Sequence, residues 1–314
     1  MKNTLSRILL AVFVLAAALI SPSVAAFAVE RPDNVVTKEY PFDSFKGIDV
    51  SGAFEVTLTK GPYKLTVEVP EDYVQYLRIR ISRDVLCIGM DNVPRAIFGK
   101  LTKIGKQGSD WFKVYVSMPT VESVSMSGAT TLESSSTFDV DDFRMEASGA
   151  ANIKNIVVNG KALSLDASGA SKVNLEGSFT SAKVECSGSV RANLDIKVPT
   201  LNASFSGSSK GSFKLDADSM KVGLTGASSL SATGDCDNLR VEGSGAASLD
   251  CLSIPLENAS VQLSGASSCK LNVGAHLDVS LSGASSCQYK GGCDVEIVNV
   301  GRGSQLKKLG GTNI

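Results

Sequence analysis

The sequence predicts an all-β chain, wound as a right-handed parallel β-helix of about ten coils of 18–21 residues with an N-terminal β-rich cap. Three observations predict it. A tripeptide recurs in which a hydroxyl residue precedes glycine and alanine usually follows. Apolar residues alternate with period two at fixed offsets from that glycine, as side chains do along a strand. Aromatic residues make up only 6% of the chain, while Gly, Ala, Ser and Val abound, which suits a narrow interior of stacked aliphatics.

The repeating glycines are Gly128, Gly149, Gly169, Gly188, Gly207, Gly226, Gly245, Gly265 and Gly283, with Gly301 as a degenerate tenth and Gly52 as an isolated earlier copy. Four residues before them lie Val124, Met145, Leu165, Val184, Ala203, Val222, Val241, Val261, Val279 and Ile297, all apolar. Positions −6 and −2 are also apolar in most copies and share one strand face with −4. A second strand follows each glycine, with apolar residues at +4 and +6, including Ile153, Val173, Leu194, Phe213 and Leu230. The glycine marks the corner between the two strands, where positive φ or lack of room for a Cβ favours it. A single coil is too small to be stable by itself, so neighbours must close its apolar column and satisfy its hydrogen bonds. Ten rungs at the strand spacing give a rod of about 48 Å. The right hand follows from the strong preference of parallel crossovers. A propeller would need blades of about 40 residues, and helical leucine-rich repeats would not show this period.

The chain divides into an export signal over residues 1–28, a β-rich cap and first coils over 29–118, repeats over 119–305 and a tail over 306–314. Lys2 and Arg7 precede the apolar run from Ile8 to Ile20, and Ala26-Phe27-Ala28 fits a cleavage site after Ala28. That run of 13 residues is short of the roughly 20 that a spanning helix needs. The reading is therefore an exported protein of the periplasm, the outer membrane surface or the extracellular space, with no transmembrane segment after cleavage. The 31 basic and 32 acidic residues exclude a nucleic-acid footprint. In the cap, Phe54 to Leu58, Leu65 to Val69, Leu86 to Ile88 and Phe112 to Val116 read as strands, and Asp91 to Asp110 as a loop. The polar tail, with Lys307 and Lys308, is expected to guard the far end of the rod.

The segment Phe45-Lys-Gly-Ile-Asp-Val-Ser-Gly-Ala-Phe-Glu-Val-Thr-Leu58 resembles the opening of the "putative autotransporter adhesin head GIN domain" family of bacteria, common in Bacteroidetes. Val114-Tyr-Val-Ser-Met-Pro119, running into Val124-Ser-Met-Ser-Gly-Ala129, resembles the next segment, and the Ser-Gly-Ala series resembles the family's body. The likeness covers about residues 40–305. It implies an exported β-helix and, through the family's name, adhesion. The sequence lacks the C-terminal run of alternating strands expected of an outer-membrane barrel. The resemblance supplies no catalytic residues.

Several side-chain sets carry candidate chemistry. Arg95, Lys100, Lys103 and Lys106 lie near Phe98, Trp111 and Phe112, a combination that can bind an anionic glycan by charge and ring stacking. Glu146, Asp166 and Glu185 occupy position −3 of successive coils and form a weak calcium candidate. Arg144 and Lys183 at −5 can neutralise them directly, and a solvated charge lattice is the favoured reading. The hydroxyl column from Ser127 to Ser282 is read either as a binding array or, preferentially, as corner residues bonded to backbone. Cys269 and Cys287 share the +4 column on adjacent coils, so a disulfide is geometrically open to them, although buried thiols are preferred. The one histidine, His276, reads as a surface or corner residue and not as a catalytic base. No catalytic residue, metal site or cofactor is assigned. The expected role is a non-enzymatic binding or adhesion module for a glycan or cell-surface ligand. Its rivals are a carbohydrate-active enzyme on the same fold and a passive envelope scaffold, and the oligomeric state is left open.

Overall fold

The computed structural model describes residues 34–94 and 111–310. The export signal read over 1–28 lies outside the described residues. Among those described, 24 strands join in a single sheet system, and one short 3-10 helix, Glu71–Tyr76, lies between two of them. The chain is a parallel β-helix.

Each coil has two sides. Arg191–Lys197 alternates exposed and buried through all its residues, and Thr200–Phe205 does the same. Val198-Pro199 turns one corner and the Ser206-Gly207-Ser208-Ser209 segment turns the other. The rungs stack in parallel register, with Ala192 over Val173 and under Gly211 in the row of residues four after the glycine. Further along, the two sides of successive coils run together as one long bent strand, as in Lys210–Leu224 and Ser229–Gly243.

The interior follows the apolar rows. The −4 row is buried at every rung from Val124 to Val279. The interior also extends further than the sequence suggested, since Ile196, Val198, Leu215 and Ala217 are buried beyond position +6. Two departures from the apolar pattern are compensations in size. A Cβ on Gly211 would lie 2.8 Å from the Phe205 ring and 2.5 Å from Leu230, and one on Gly243 would lie 2.6 Å from Leu263. Glycine at these points makes room for a larger neighbour, which keeps the interior close-packed.

The corner glycines form a continuous column with φ between +69° and +87° from Gly128 to Gly283. At Gly207 a Cβ would sit 2.7 Å from the carbonyl oxygen of Gly188 on the rung below. The amide after each glycine donates to the glycine carbonyl of the preceding rung, as in Ser208 to Gly188 at 2.7 Å and Ala227 to Gly207 at 2.7 Å.

Gly52 is isolated in sequence but not in space. It lies in register with Gly128, and the Ala129 amide donates to its carbonyl at 2.7 Å. Gly47–Gly52 has Ser123–Gly128 on one side and Val85–Met90 on the other, both parallel. Glu55–Lys60 is likewise held between Thr131–Ser134 and Lys113–Met118. The chain therefore makes its first coil, adds an outer rung beneath it, and then crosses through Pro119–Glu122 to continue above it. Antiparallel strands finish that end: Lys64–Pro70 pairs with Lys113–Met118, Val35–Tyr40 with Lys64–Pro70, and Leu77–Ser82 with Val85–Met90. Lys38, Glu39, Arg78 and Arg80 place charge on the two outermost strands, which discourages edge pairing.

The opposite end corrects the register read from sequence. Leu281 pairs with Val300 and Cys287 with Leu306, so Val300 and Leu306, not Asn299 and Gln305, take the −2 and +4 places. A register shift between Ile297 and Asn299 adds one residue, Arg302 takes the corner position, and Gly303 supplies the positive φ. The alignment on Gly301 holds for Val295 and Ile297 and is off by one from Asn299 onward. Ile297 lies beside the fully buried Val279 but is 60% exposed, because it belongs to the last rung. Gln305–Lys308, expected to fall largely in a polar tail, forms the final strand.

The column makes a sharp prediction. Gly207→Ala should lower unfolding stability by about 2 kcal/mol or more, from the left-handed backbone and the carbonyl contact. Gly223→Ala, where the nearest atom is a serine hydroxyl at 3.5 Å and φ is not positive, should cost much less. Urea midpoints of the two variants check this, and equal losses would contradict the column.

Candidate functional site

An open trough of about 590 Å³ runs along the outer face beside the glycine column. Its walls are the −3 and −1 positions of successive rungs, from Ser125 to Gly223 on one side and from Ser148 to Thr225 on the other. Six rungs contribute, which at the strand spacing is about 24 Å of surface. Alternation puts both rows outward, while the apolar −4 and −2 residues between them fix the strand from beneath.

The acidic residues read from sequence all line this trough. Glu146, Asp166 and Glu185 are in parallel register on adjacent strands. Arg144 reaches Glu146 at 2.6 Å and Lys183 reaches Glu185 at 3.0 Å. Ser164 holds the corresponding place beside Asp166, so among the described residues Asp166 has no cation within 4 Å. The Arg144 guanidinium is held above its ordinary pKa first by the hydrogen bond to Glu146, then by that carboxylate's charge, with Asp166 adding to it. These pairs are well exposed and contribute little to stability. The arrangement is a charge lattice, and no set of three acidic, histidine or cysteine side chains among the described residues is spaced to hold a metal ion.

The hydroxyl column behaves differently from expectation. In four rungs the carbonyl of the residue before the glycine is taken by a second, buried hydroxyl two residues after the glycine, which sequence reading missed. Ser171 donates to the Ser168 carbonyl at 2.6 Å, Ser209 to Ser206 at 2.8 Å, Ser267 to Ser264 at 2.7 Å and Ser285 to Ser282 at 2.9 Å. In the row before the glycine, Ser206, Ser264 and Ser282 only approach a carbonyl at 3.5 Å, near the limit of a useful bond. The trough-facing hydroxyls of Ser148, Ser168, Ser187, Ser206 and Thr225 are thus available to a ligand. Polar identity hid the buried row, since an inward serine looks like a break in the apolar pattern.

Arg95, Lys100, Lys103 and Lys106 lie outside the described residues. Trp111 is described and half-buried, next to Phe112, whose ring meets Phe54 and Tyr73 edge-on at 6.0 and 5.2 Å. His276 is exposed, in register between Asn258 and Asp294. Cys269 and Cys287 are paired in register and fully inside, and both are free thiols. Hydrogen bonding between them and burial hold the Cys269 thiol well above its usual pKa. Burial pushes Cys186 and Cys251 up to about 12 and Cys236 up to about 11. Thiols held protonated in this way are poor nucleophiles.

Comparison with known proteins gives the family and the fold. The family model described as "Putative auto-transporter adhesin, head GIN domain" matches residues 44–195 and 187–293. The chain belongs to that family. No curated protein matches it. Among solved structures, a "putative adhesin" from Parabacteroides distasonis ATCC 8503 aligns over 88% of this chain and 98% of its own, at 15% identity and a TM-score of 0.51. A "putative adhesin" from Parabacteroides merdae ATCC 43184 covers 88% and 97% at 17% identity and a TM-score of 0.46. A "putative lipid binding protein" from P. distasonis ATCC 8503 covers the same shares at 14% identity and 0.46. At 15% identity the first of these shows a shared fold.

Thiol chemistry tests the interior. In the native protein a small alkylating reagent should modify the half-buried Cys87 and spare Cys186, Cys236, Cys251, Cys269 and Cys287 until the chain unfolds. Because the folded thiols stay protonated where unfolded ones ionise, they stabilise fully below about pH 9, and that stability is lost as pH rises toward the folded values. Cys251→Ala should flatten the alkaline loss of stability. Mass spectrometry that found native adducts on Cys251, or a bond between Cys269 and Cys287, would contradict the assignment.

Proposed function

We propose that this chain is an exported, non-enzymatic binding module of the cell envelope or secreted space that holds a polyhydroxylated polymer, a glycan, along its outer face. The observation that carries the proposal is the trough, with a hydroxyl on each of five successive rungs and a carboxylate on three of them, at a spacing of about 4.8 Å. Sugar hydroxyls can donate to the carboxylates and exchange hydrogen bonds with the serines. Each contact is weak, but an extended chain engages several at once, and effective concentration then raises the overall affinity. A rigid face also avoids an ordering cost in the protein.

Membership of the adhesin family supports a binding role. The same membership, with a leader over residues 1–28 cleaved after Ala28, supports export to the periplasm, outer surface or medium. Among the described residues no helix is long and apolar enough to cross a membrane. Arg95, Lys100, Lys103, Lys106 and Trp111 are proposed as a second, local contact for an anionic group on the same ligand. On this reading residues 29–118 cap the rod and carry that contact, while 119–305 form the binding face.

The experiment is an array of glycans and envelope polymers probed with protein from Val29 onward, with polymer cleavage assayed in parallel. Binding without cleavage is expected. Ser187→Arg, which fills the trough from an exposed corner, should weaken binding by about tenfold or more. Replacing Lys100, Lys103 and Lys106 with Ser should selectively weaken anionic polymers. Turnover of any polymer would overturn the reading in favour of a carbohydrate-active enzyme, and unchanged affinity in the arginine variant would remove the trough.

A further inference from the structure

The strands that follow the glycine corner carry a second row of side chains, across the corner from the trough. Lys172, Arg191 and Lys210 are each the first residue of their strand, three positions after Gly169, Gly188 and Gly207. They are in direct register, Lys172 with Arg191 and Arg191 with Lys210, and all three are exposed. Equivalent positions of parallel strands share a face, so the three cations stack on one side. Their amides bond to carbonyls of the rung below, those of Ala151, Ser171 and Val190, at 2.8–2.9 Å. Those bonds fix where each side chain leaves the rod.

Like charges directly opposite one another on neighbouring strands repel. On this side of the coil other cations avoid that cost by meeting an acid one rung away. Lys154 reaches Glu133 at 3.2 Å, Lys197 reaches Asp216 at 2.6 Å and Lys214 reaches Asp195 at 2.9 Å. The row of three has no such relief. Among the described residues none of its members has a carboxylate within 4 Å. The row is bounded by neutral residues, Asn152 on one side and Ser229 on the other.

Polar groups run beside the cations. Asn193 Nδ2 donates to Asn174 Oδ1 at 2.7 Å, which leaves the Asn174 N–H groups and the Asn193 carbonyl oxygen free among the described residues. A cleft of about 380 Å³ continues upward past Arg191 and Lys210, lined by Ser212, Ser229 and Ser231. Asp250 stands at its far end, two rungs beyond Lys210, and limits the positive stretch.

We infer that this row and cleft form a second binding site, for an acidic polysaccharide with an anionic group on successive sugars. Cations at intervals of about 4.8 Å match negative charge that recurs along a line. The amides and hydroxyls beside them match a ligand that carries hydroxyls next to each charge. A lipid surface would call for exposed apolar side chains beside the cations, and single-stranded nucleic acid for aromatic rings. None of the large apolar residues exposed among the described residues lies here. The site is separate from the trough, whose carboxylates repel the same ligand.

Calorimetric titration of the purified protein with a galacturonate hexamer at low salt tests the inference. Binding is expected, and it should weaken as salt is raised. The single sugar acid should bind at least about a hundredfold more weakly, because it cannot span the row. Replacing Lys172, Arg191 and Lys210 together with Gln should weaken hexamer binding by about a hundredfold. Lys197→Gln, which removes a lysine already held by Asp216, should change it by less than about twofold. Ser229→Lys lengthens the row by one rung and should strengthen binding by about threefold. Urea midpoints at low salt should hold or rise in the triple variant, since a repulsion is removed, so its lost binding is not lost folding. Equal affinity for a neutral glucan hexamer, no binding of the acidic one, or indifference to the triple variant would overturn the inference. Tighter binding to a DNA oligonucleotide or to phosphatidylglycerol vesicles would overturn it too. Polymers held in the trough should lose affinity in Ser187→Arg and keep it in the triple variant, so the two readings fail separately.

Discussion

The hydrogen bond from the residue after each corner glycine to the glycine carbonyl one rung below is the constraint on which the rest of the rod depends. It recurs at 2.7–2.8 Å from Ala129 on Gly52 to Ala284 on Gly265. The backbone approach at each corner is so close that no side chain fits, and the left-handed φ is strained for any residue except glycine. Because every coil is pinned at the same corner, coils of unequal length still stack in register. Their extra residues are absorbed elsewhere, as at the shifts between Ile153 and Ile156 or between Ser231 and Asn238. Registered rungs in turn align the inward aliphatics into a packed interior and the outward polar residues into rows. The binding face is thus a by-product of the same stacking that stabilises the fold.

That stacking explains how a chain with few aromatics maintains a dry core. Interior volume is balanced between neighbouring rungs, large beside small, as Phe205 and Leu230 show against Gly211. The buried serines do not spoil the interior: Ser171, Ser209, Ser267 and Ser285 each return the hydroxyl to a carbonyl three residues earlier, and Ser228 donates to the Phe205 carbonyl on the rung below. Thr130, at the equivalent place on an early rung, is the one buried side-chain oxygen among the described residues without any hydrogen-bond partner.

Much of this was legible in the sequence, for physical reasons. Period-two rows locked to a glycine report both the strands and their stacking, so the coil and its −4, −2, +4 and +6 positions could be read directly. Three features could not. Gly52 and Gly128 are neighbours only because the chain inserts an outer rung and crosses back, and a local pattern cannot reveal a detour of that kind. The buried row of serines carries polar letters at inward positions. The last rung shifted by one residue because an added residue and an arginine at the corner mimic a shorter repeat. For the candidate site, the acidic and hydroxyl rows were legible as rows. Their union into one trough depended on which hydroxyls the backbone had already taken.

The threading of the first coils is the point at which the stacking account is most exposed. Ser51 and Ser127 are in register on adjacent strands although 76 positions separate them. Paired cysteines at Ser51 and Ser127 should be joined by a short thiol cross-linker in the native protein. A pair at Ser51 and Ser148, two rungs apart at about 10 Å, should not be joined by the same reagent. Cross-linking of Ser51 to Ser148 in preference to Ser127, or to neither, would contradict the account.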